Sequence, residues 1–443
     1  MNELTIFEYD VVVAPGGGAE LNIVPQSVFT WLEDMCLKIE DGSPRWLKLT
    51  QRNGRRAIQV TSYVGVLRAP GGFQIEVLPK IGKVSSQENN ESKKEARELL
   101  LQMLKCLFGF RHIQTSDAEL LATKMPLLEV FIQQFLTSVQ SVVKQGLRSD
   151  YIVVQDNLAA LRGKIKISQH IRQNILRRDR FFTEHDLFTP DRPENRLLIS
   201  ALRSVLMLSR SQDNQRLARE LCFVFDEVPE SNNIQNDINS IRLDRGMSYY
   251  EHALNWAKLI LSGTSPLSGA GSNNAPSLLF PMEAVFEAYV EKNLRKQLSD
   301  GFFLKSQVSS QYLVEHRKQK WFKMKPDLLV QDNQHDTRLL LDTKWKLLDS
   351  KKNSGSDKYQ LSQTDFYQLY AYGHHYLKGV GNMALIYPKT EAFDKPLDVF
   401  GFQAPDSLKL WVLPFCLKTR ELMLPDAHQI SSLFSTVTPP TAI

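Results

Sequence analysis

The chain has 443 residues, of which 42% are hydrophobic and 23% are charged, and its formal net charge is +5. This length exceeds the usual size of one domain, about 100 to 200 residues, so we expect two or three domains. No apolar run approaches the ~20 residues of a membrane span, which excludes a membrane protein, and MNELTIFEYD lacks a secretory signal, which excludes a secreted protein. The four scattered cysteines form no CxxC pair, which argues against a zinc ribbon. We therefore expect a cytoplasmic protein.

Composition and periodicity along the chain predict a multidomain α+β protein. Residues 1–95 have alternating or continuous apolar runs broken by the turn signals PGGG and PGG, which is typical of a small β-rich domain. Residues 96–262 show mostly helical spacing of apolar residues, and 263–277 form a linker rich in Ser, Gly, Pro and Asn. In residues 278–443 helical and strand patterns alternate, which predicts an α/β domain.

A basic segment lies in the middle region, at residues 161–182. It holds seven Lys or Arg residues against one acid, Asp179. Such density neutralises phosphates and gives DNA affinity without sequence information, although solvated helix charge and contact with a protein partner are alternatives. The candidate DNA-binding residues are Arg162, Lys164, Lys166, Arg172, Arg177 and Arg178.

The stretch KPDLLVQDNQHDTRLLLDTKWK (325–346) carries charges inside two apolar strands. The two-residue period of a strand places Asp342 and Lys344 on one face, and a hairpin closing around 333–337 brings Asp327 next to both. A carboxylate pair is costly to bury unless a cation shares the site, and oxygen ligands suit Mg²⁺. Lys344 would then orient the attacking water and stabilise phosphate charge. An exposed salt bridge between Asp342 and Lys344 is the structural alternative.

Two helices offer further polar groups. MEAVFEAYVEKNL has Glu283, Glu287 and Glu291 at i, i+4, i+8 spacing, so that one of these carboxylates faces the strands, or else all three form a solvated stripe. DFYQLYAYG places Gln368 and Tyr372 four residues apart on one helical face, where they can meet a phosphate or the lysine, or simply pack.

These motifs together resemble the PD-(D/E)xK nuclease superfamily, with P-D at 326–327, D-x-K at 342–344 and a Q-x-x-x-Y motif at 368–372. The resemblance implies a central mixed sheet flanked by helices and Mg²⁺-dependent phosphodiester hydrolysis. It implies the catalytic residues Asp327, Asp342, Lys344, Glu287, Gln368 and Tyr372. The candidate metal ligands are Asp327, Asp342, Glu287 and Thr343.

Motifs elsewhere resemble the McrC family, the nuclease subunits of McrBC modification-dependent restriction systems. They are YVGVLRAPGGFQIEVLPKIG, LRGKIKISQHIRQN, HDLFTPDRPENRLLISAL and LFPMEAVFEAYV. The resemblance implies phage defence by a DNA endonuclease that acts on 5-methylcytosine-type DNA with a hexameric, McrB-like AAA+ GTPase docked on residues 1–95. This chain has no nucleotide-binding glycine motif, so we expect the partner to bind GTP. A stand-alone RecB-like exonuclease and a non-catalytic adaptor of an AAA+ motor are the alternatives.

Overall fold

The computed structural model describes most of the chain, in the ranges 3–16, 22–38, 46–83, 90–107, 125–261, 278–403, 407–425 and 430–435. The predicted linker 263–277 lies outside these residues. Packing divides the chain into two compact units. The first unit combines Met1–Gly65, Ala69–Ile113 and Leu279–Ile443, and the second combines Val66–Arg68 with Gln114–Leu278. N-terminal strands and the C-terminal α/β region therefore share one unit.

The N-terminal part is rich in strands. Its elements are β1 (Glu3–Phe7), β2 (Val11–Val13), β3 (Asn22–Ile23), α1 (Gln26–Lys38), β4 (Leu47–Arg52), β5 (Arg55–Val60), β6 (Tyr63–Arg68), a 3₁₀ helix (Pro70–Gly72), β7 (Gln74–Leu78), a 3₁₀ helix (Lys80–Lys83) and α2 (Asn90–Leu107). Strands β2 to β5 form a sheet of order β3-β2-β5-β4, and β1 pairs with β7 in parallel. The apolar runs are buried, since Ile6 and Phe7 at the end of β1 and every residue of β7 lie in the interior.

The middle part is mainly helical with one small sheet. Its elements are α3 (Leu127–Gln145), β8 (Asp150–Leu158), β9 (Lys164–Ile165), α4 (Ile167–Asn174), β10 (Phe181–Thr189), α5 (Pro193–Leu208), α6 (Gln212–Val224), α7 (Ile234–Ser240), a 3₁₀ helix (Arg245–Tyr250) and α8 (Glu251–Leu261). The sheet has the antiparallel order β8-β10-β9. Sequence periodicity indicated only a short β segment here and missed β10, because apolar and polar residues do not alternate regularly along FFTEHDLFT.

The C-terminal part is built on a seven-stranded mixed sheet. Its elements are β11 (Leu278–Pro281), α9 (Met282–Gln297), β12 (Phe302–Ser306), β13 (Gln311–His316), β14 (Gln319–Met324), β15 (Leu328–Asp332), β16 (Thr337–Thr343), a 3₁₀ helix (Lys358–Gln360), α10 (Gln363–Leu377), β17 (Val380–Pro388), β18 (Phe400–Gly401), β19 (Ser407–Cys416), β20 (Glu421–Leu422) and a 3₁₀ helix (Ser431–Leu433). The sheet order is β12-β15-β16-β17-β19-β18, with β20 paired to β19, and β16, β17 and β19 run parallel. β11 instead joins a four-stranded sheet of order β1-β7-β6-β11, so the chain is a mixed α+β protein with several sheets.

Helices cover both faces of the seven-stranded sheet. On one face, Leu369 and Tyr372 of α10 belong to a buried cluster with Leu340 and other strand residues. Gly373 lets α10 approach closely, since a Cβ there would lie 2.8 Å from Leu408 and Met383 side-chain atoms. On the α9 side the Phe286 ring contacts two other rings, tilted against Trp345 at 5.3 Å and edge-on to Phe415 at 6.4 Å between ring centres. Strand β16 is thus buried between two helices.

Across the ranges that the structure describes, no helix combines the length and the apolar character that crossing a membrane requires.

Candidate active site

The hairpin of β15 and β16 places Asp327 beside the end of β16. The strands are antiparallel with Leu328 opposite Leu341. Asp327 Oδ2 accepts hydrogen bonds from the Thr343 backbone N at 2.7 Å and from Thr343 Oγ1 at 2.8 Å. The Thr343 side chain therefore donates to a candidate ligand here, and its role as a metal ligand stays a prediction.

Asp342 and Lys344 lie on the α10 face of β16, as the strand period predicts. Asp342 is only 1% exposed, inside a strand whose neighbours Leu340 and Leu341 are fully buried. Lys344 Nζ lies 2.6 Å from Asp342 Oδ2 and 3.9 Å from Asp365 Oδ1. Asp342 is buried and Lys344 is half-buried, so this is not the salt bridge on an exposed strand that was the structural alternative.

The carboxylates of Asp342, Asp327 and Asp365 lie close together around one cation, Lys344. Burial, and then the nearby Asp327 carboxylate, raise the pKa of Asp342 to about 7, although Lys344 opposes both effects. For Lys344, burial alone would lower the pKa, but the charges of Asp342, Asp365 and Asp327 outweigh it and the pKa is raised. Lys344 is therefore a cation at neutral pH, and a second positive charge would be favourable beside Asp342.

Glu287 reaches the same region from α9. Its Oε1 accepts a hydrogen bond from Gln307 Nε2 at 3.1 Å, and Gln307 N donates to Asp327 O at 2.8 Å. Burial, and then the Asp327 charge, raise the pKa of Glu287. Of the other two acids on this helix, Glu283 is exposed and Glu291 pairs with Arg295 at 2.7 Å, so only Glu287 turns toward the site.

A hydrogen-bonded relay runs from Lys344 along α10. Lys344 Nζ donates to Gln368 Oε1 at 3.2 Å, and Gln368 Nε2 donates to Tyr372 Oη at 2.9 Å. Tyr372 Oη in turn donates to Lys325 O at 3.2 Å, two residues before Asp327. Gln368 and Tyr372 thus connect the lysine to the segment that positions Asp327.

Replacing Tyr372 with phenylalanine tests this relay. We expect a fall of about 10- to 100-fold in DNA cleavage, because Gln368 loses its acceptor and both Lys344 and Asp327 lose a fixed position. The loss of stability should be only about 1 kcal/mol, the usual contribution of one hydrogen bond. Cleavage rates and thermal unfolding of the purified variant measure the two effects.

Tyr376 on the same helix provides a matched control. Its Oη donates to Val308 O and Met324 O, both at 3.3 Å, and it does not contact Gln368. Tyr376→Phe should lose similar stability but keep cleavage within about threefold. Equal losses of cleavage in the two variants would show that the relay has no specific role.

The site also contains residues that the sequence did not single out. Asp365, one turn before Gln368, lies near Lys344 and accepts a hydrogen bond from the buried Tyr387 hydroxyl at 3.3 Å. Its i, i+3 spacing to Gln368 was a signal that could have identified it.

Two N-terminal residues that the sequence also did not single out, Glu8 and Lys80, bind Trp345, the residue after Lys344. Trp345 Nε1 donates to both carboxylate oxygens of Glu8, at 3.1 and 3.0 Å, and Lys80 Nζ donates to Trp345 O at 3.0 Å. Burial raises the pKa of Glu8 to about 7, against the lowering effect of Lys80. Glu8 and Trp345 are 337 positions apart, and no local pattern predicts their contact. The N-terminal strands thus support the end of the D-x-K strand.

The donor set fits a hard divalent cation. Asp342 is buried with the Lys344 ammonium 2.6 Å from its Oδ2, and Asp327 supplies a second carboxylate. Mg²⁺ usually takes one or two carboxylates plus waters and phosphate oxygens, so this pair suffices. The described residues contain no group of three or more His, Cys, Asp or Glu arranged for a metal, so Glu287 as a third ligand stays a prediction.

The basic segment 161–182 lies in the second unit and is largely exposed. Lys166 is half-buried and pairs with Glu184 at 2.6 Å, so part of its charge is neutralised within the chain. The other five candidate residues are exposed, namely Arg162, Lys164, Arg172, Arg177 and Arg178. Apolar side chains are exposed among them, including Ile175 at 71% and Leu176 at 92%. Such interleaved apolar surface is more typical of a protein interface than of phosphate contact alone. DNA binding by these residues stays a prediction.

Residues 58–388 match the family model described as McrBC 5-methylcytosine restriction system component. No curated protein matches the chain.

Solved structures match over most of the chain. A chain of the refined half-complex from the tetradecameric assembly of Thermococcus gammatolerans McrB AAA+ hexamers with bound McrC is 19% identical, with a TM-score of 0.62 and 94% of each chain covered. A chain of the Thermococcus gammatolerans McrBC complex is 20% identical over 66% of this chain and 86% of its own, with a TM-score of 0.49. The first of these matches shows a common fold.

Proposed function

Because this chain belongs to the family of McrBC 5-methylcytosine restriction system components, we propose that it is the DNA endonuclease subunit of such a system. The observation that carries the proposal is the convergence of Asp327, Asp342 and Lys344 at the end of one hairpin, with Lys344 Nζ 2.6 Å from Asp342 Oδ2. Buried charges in an apolar strand cost stability, and such groups are concentrated at functional sites. The C-terminal sheet with α9 and α10 on its two faces is proposed as the PD-(D/E)xK nuclease domain.

The proposed reaction is hydrolysis of a DNA phosphodiester bond. Asp327 and Asp342 would hold Mg²⁺, which when bound polarises the phosphate and lowers the pKa of a coordinated water. Lys344 offers a positively charged donor at the same edge, where it orients the attacking water and stabilises negative charge that develops on the phosphate. Gln368 keeps the Lys344 ammonium group pointed at this edge, since it accepts one of its three protons.

The proposed partner is a McrB-like hexameric AAA+ GTPase, which binds GTP and recognises methylated cytosine in double-stranded DNA. Support comes from the family match and from the fold shared with a structure solved with McrB AAA+ hexamers. We place the partner contact in residues 1–95 and the complex in the cytoplasm. The contacts of Glu8 and Lys80 with Trp345 offer a physical route from that region to the cleavage site.

A cleavage assay with defined components tests the proposal. Methylated and unmethylated duplexes are incubated with the chain, with and without the AAA+ partner, GTP and Mg²⁺. We expect cleavage only of methylated DNA and only when all components are present. Degradation of DNA ends with Mg²⁺ alone would instead identify an exonuclease, and stimulation of GTP hydrolysis without any cleavage would identify an adaptor.

A further inference from the structure

A two-stranded ribbon stands directly before Asp327 and has no role in the site described above. Strands β13 and β14 pair only with each other, from Gln311 opposite Met324 to His316 opposite Gln319. Within both strands, every residue is exposed except the half-buried Tyr312 and the buried Met324 at the base. The ribbon therefore has two solvated faces, and its residues are free to contact a ligand on either of them.

The ribbon is strongly basic. Between Gln311 and Lys325 there is one acid, Glu315, and there are five cations, namely Arg317, Lys318, Lys320, Lys323 and Lys325. All five are exposed, and among the residues the structure describes none of them forms a salt bridge. Lys320 also lies over the Tyr312 ring, 5.9 Å from its centre. Exposed cations without salt bridges on a narrow ribbon match a polyanion, whose phosphates they neutralise with release of counterions.

Aromatic rings are exposed among these cations. Phe322 is 69% exposed and Trp321 is 44% exposed, with the Trp321 ring 4.8 Å from that of His316. Phe322 has a φ of 56°, in the left-handed region that a bulky residue adopts only at a cost. This conformation costs folding free energy, and strain of this kind is concentrated at ligand-binding sites.

The base of the ribbon is fixed to the candidate active site. Tyr372 of α10, a member of the relay from Lys344, donates a hydrogen bond to Lys325 O at the base of the ribbon, at 3.2 Å. Phe322 is five residues from Asp327, a span of at most about 17 Å in extended chain, or about five base pairs of duplex. The cations therefore lie within about one helical turn of a phosphate at the cleavage site.

We propose that this ribbon grips duplex DNA beside the cleavage site, with its cations on the phosphates and the Phe322 ring against the bases. A two-stranded ribbon fits the major groove, where an apolar side chain gains contact with base edges such as the thymine methyl group. The inference rests on the proposed function, because it takes DNA as the substrate.

DNA binding by the full chain in EDTA, where no cleavage occurs, tests the proposal. Anisotropy of a labelled duplex is measured over a range of salt concentrations for wild type and for Lys320→Ala/Lys323→Ala. The slope of log K against log salt should fall by about 2, since each lost phosphate contact removes about 0.9, and affinity near 0.1 M salt should fall roughly 10- to 100-fold. Phe322→Ala should weaken binding about 5- to 100-fold with an unchanged slope, because the apolar contact of the ring is lost without a change in charge, and Phe322→Trp should retain it.

Arg216→Ala/Arg219→Ala on α6 is the control, because it also removes two cations from an exposed surface; Arg216 is 80% exposed and pairs with Glu220 at 3.0 Å. Its slope and affinity should equal those of wild type. Unchanged binding in the ribbon variants, or no binding by wild type at low salt, would overturn the proposal. Ribbon variants that bind DNA normally but fail to stimulate the partner's GTPase would also overturn it. Binding that follows these expectations without any cleavage in the complete system would instead contradict the nuclease function alone.

Discussion

Asp342→Asn is expected to reduce DNA cleavage by at least about 1,000-fold, because the neutral amide is a poor ligand for Mg²⁺ and no longer attracts the Lys344 ammonium. Asn has the same shape as Asp, so the buried position at the end of β16 stays filled. The measurement is single-turnover cleavage of methylated DNA with the AAA+ partner, GTP and Mg²⁺. Residual cleavage above about a tenth of the wild-type rate would remove Asp342 from the proposed chemistry.

The same substitution should stabilise the protein when no metal is present. Burial and Asp327 raise the Asp342 pKa to about 7 in the folded chain, so this carboxyl binds a proton that the unfolded chain releases near its ordinary pKa of 3.8. Its contribution to stability is therefore present at low pH and is lost as the pH rises through about 7. At pH 8 the cost of the ionised form is at most about 4 kcal/mol, from a shift of about three pKa units.

Unfolding in EDTA at pH 8 and pH 4.5 measures this effect. We expect Asp342→Asn to unfold at a higher temperature than wild type at pH 8. The gain in unfolding free energy should be about 1 to 3 kcal/mol, less than the upper limit because the variant also loses the ion pair with Lys344. The difference between variant and wild type should shrink toward pH 4.5. Glu8 titrates in the same range, but it is present in both proteins and its contribution cancels. A variant less stable than wild type at pH 8 would mean that Asp342 is held mainly by its ion pair.

Local sequence periodicity was enough to predict the geometry of the hairpin. The two-residue period places Asp342 and Lys344 on one face, and the turn residues place Asp327 across from the end of β16. Helical spacing likewise put Gln368 and Tyr372 on one face, where they form the relay from Lys344. These relations depend only on residues close in sequence, for which backbone geometry fixes the side-chain directions.

Contacts between distant segments could not be predicted in this way. Glu8 and Lys80 meet Trp345 only because β1, β7 and the C-terminal region pack into one unit. The left-handed backbone conformation of Phe322 could not be predicted from the sequence either, because Phe322 and its neighbours Trp321 and Lys323 have the residue pattern of an ordinary strand. A single sequence contains the periodicity of each element but not the order in which elements pack.

Lys344→Ala is expected to separate metal binding from cleavage. Lys344 Nζ lies 2.6 Å from Asp342 Oδ2, so the ammonium competes with a divalent cation for that carboxylate. Without it, affinity for Mg²⁺ or Mn²⁺, measured by calorimetry at pH 8, should stay equal or increase. Cleavage should nevertheless fall by about 100- to 1,000-fold, because the donor that stabilises charge on the phosphate is gone.

Lys346→Ala is the matched control for this loss, because Lys346 follows on the same segment but donates its hydrogen bond to Gln360 O, away from Asp342. It should keep both metal affinity and cleavage close to wild type. If Lys344→Ala instead loses metal affinity in proportion to cleavage, the lysine organises the two carboxylates before the metal binds. A cleavage rate that survives Lys344→Ala would contradict a role for this lysine in the reaction, since no other cation among the residues described lies within ion-pair distance of Asp342.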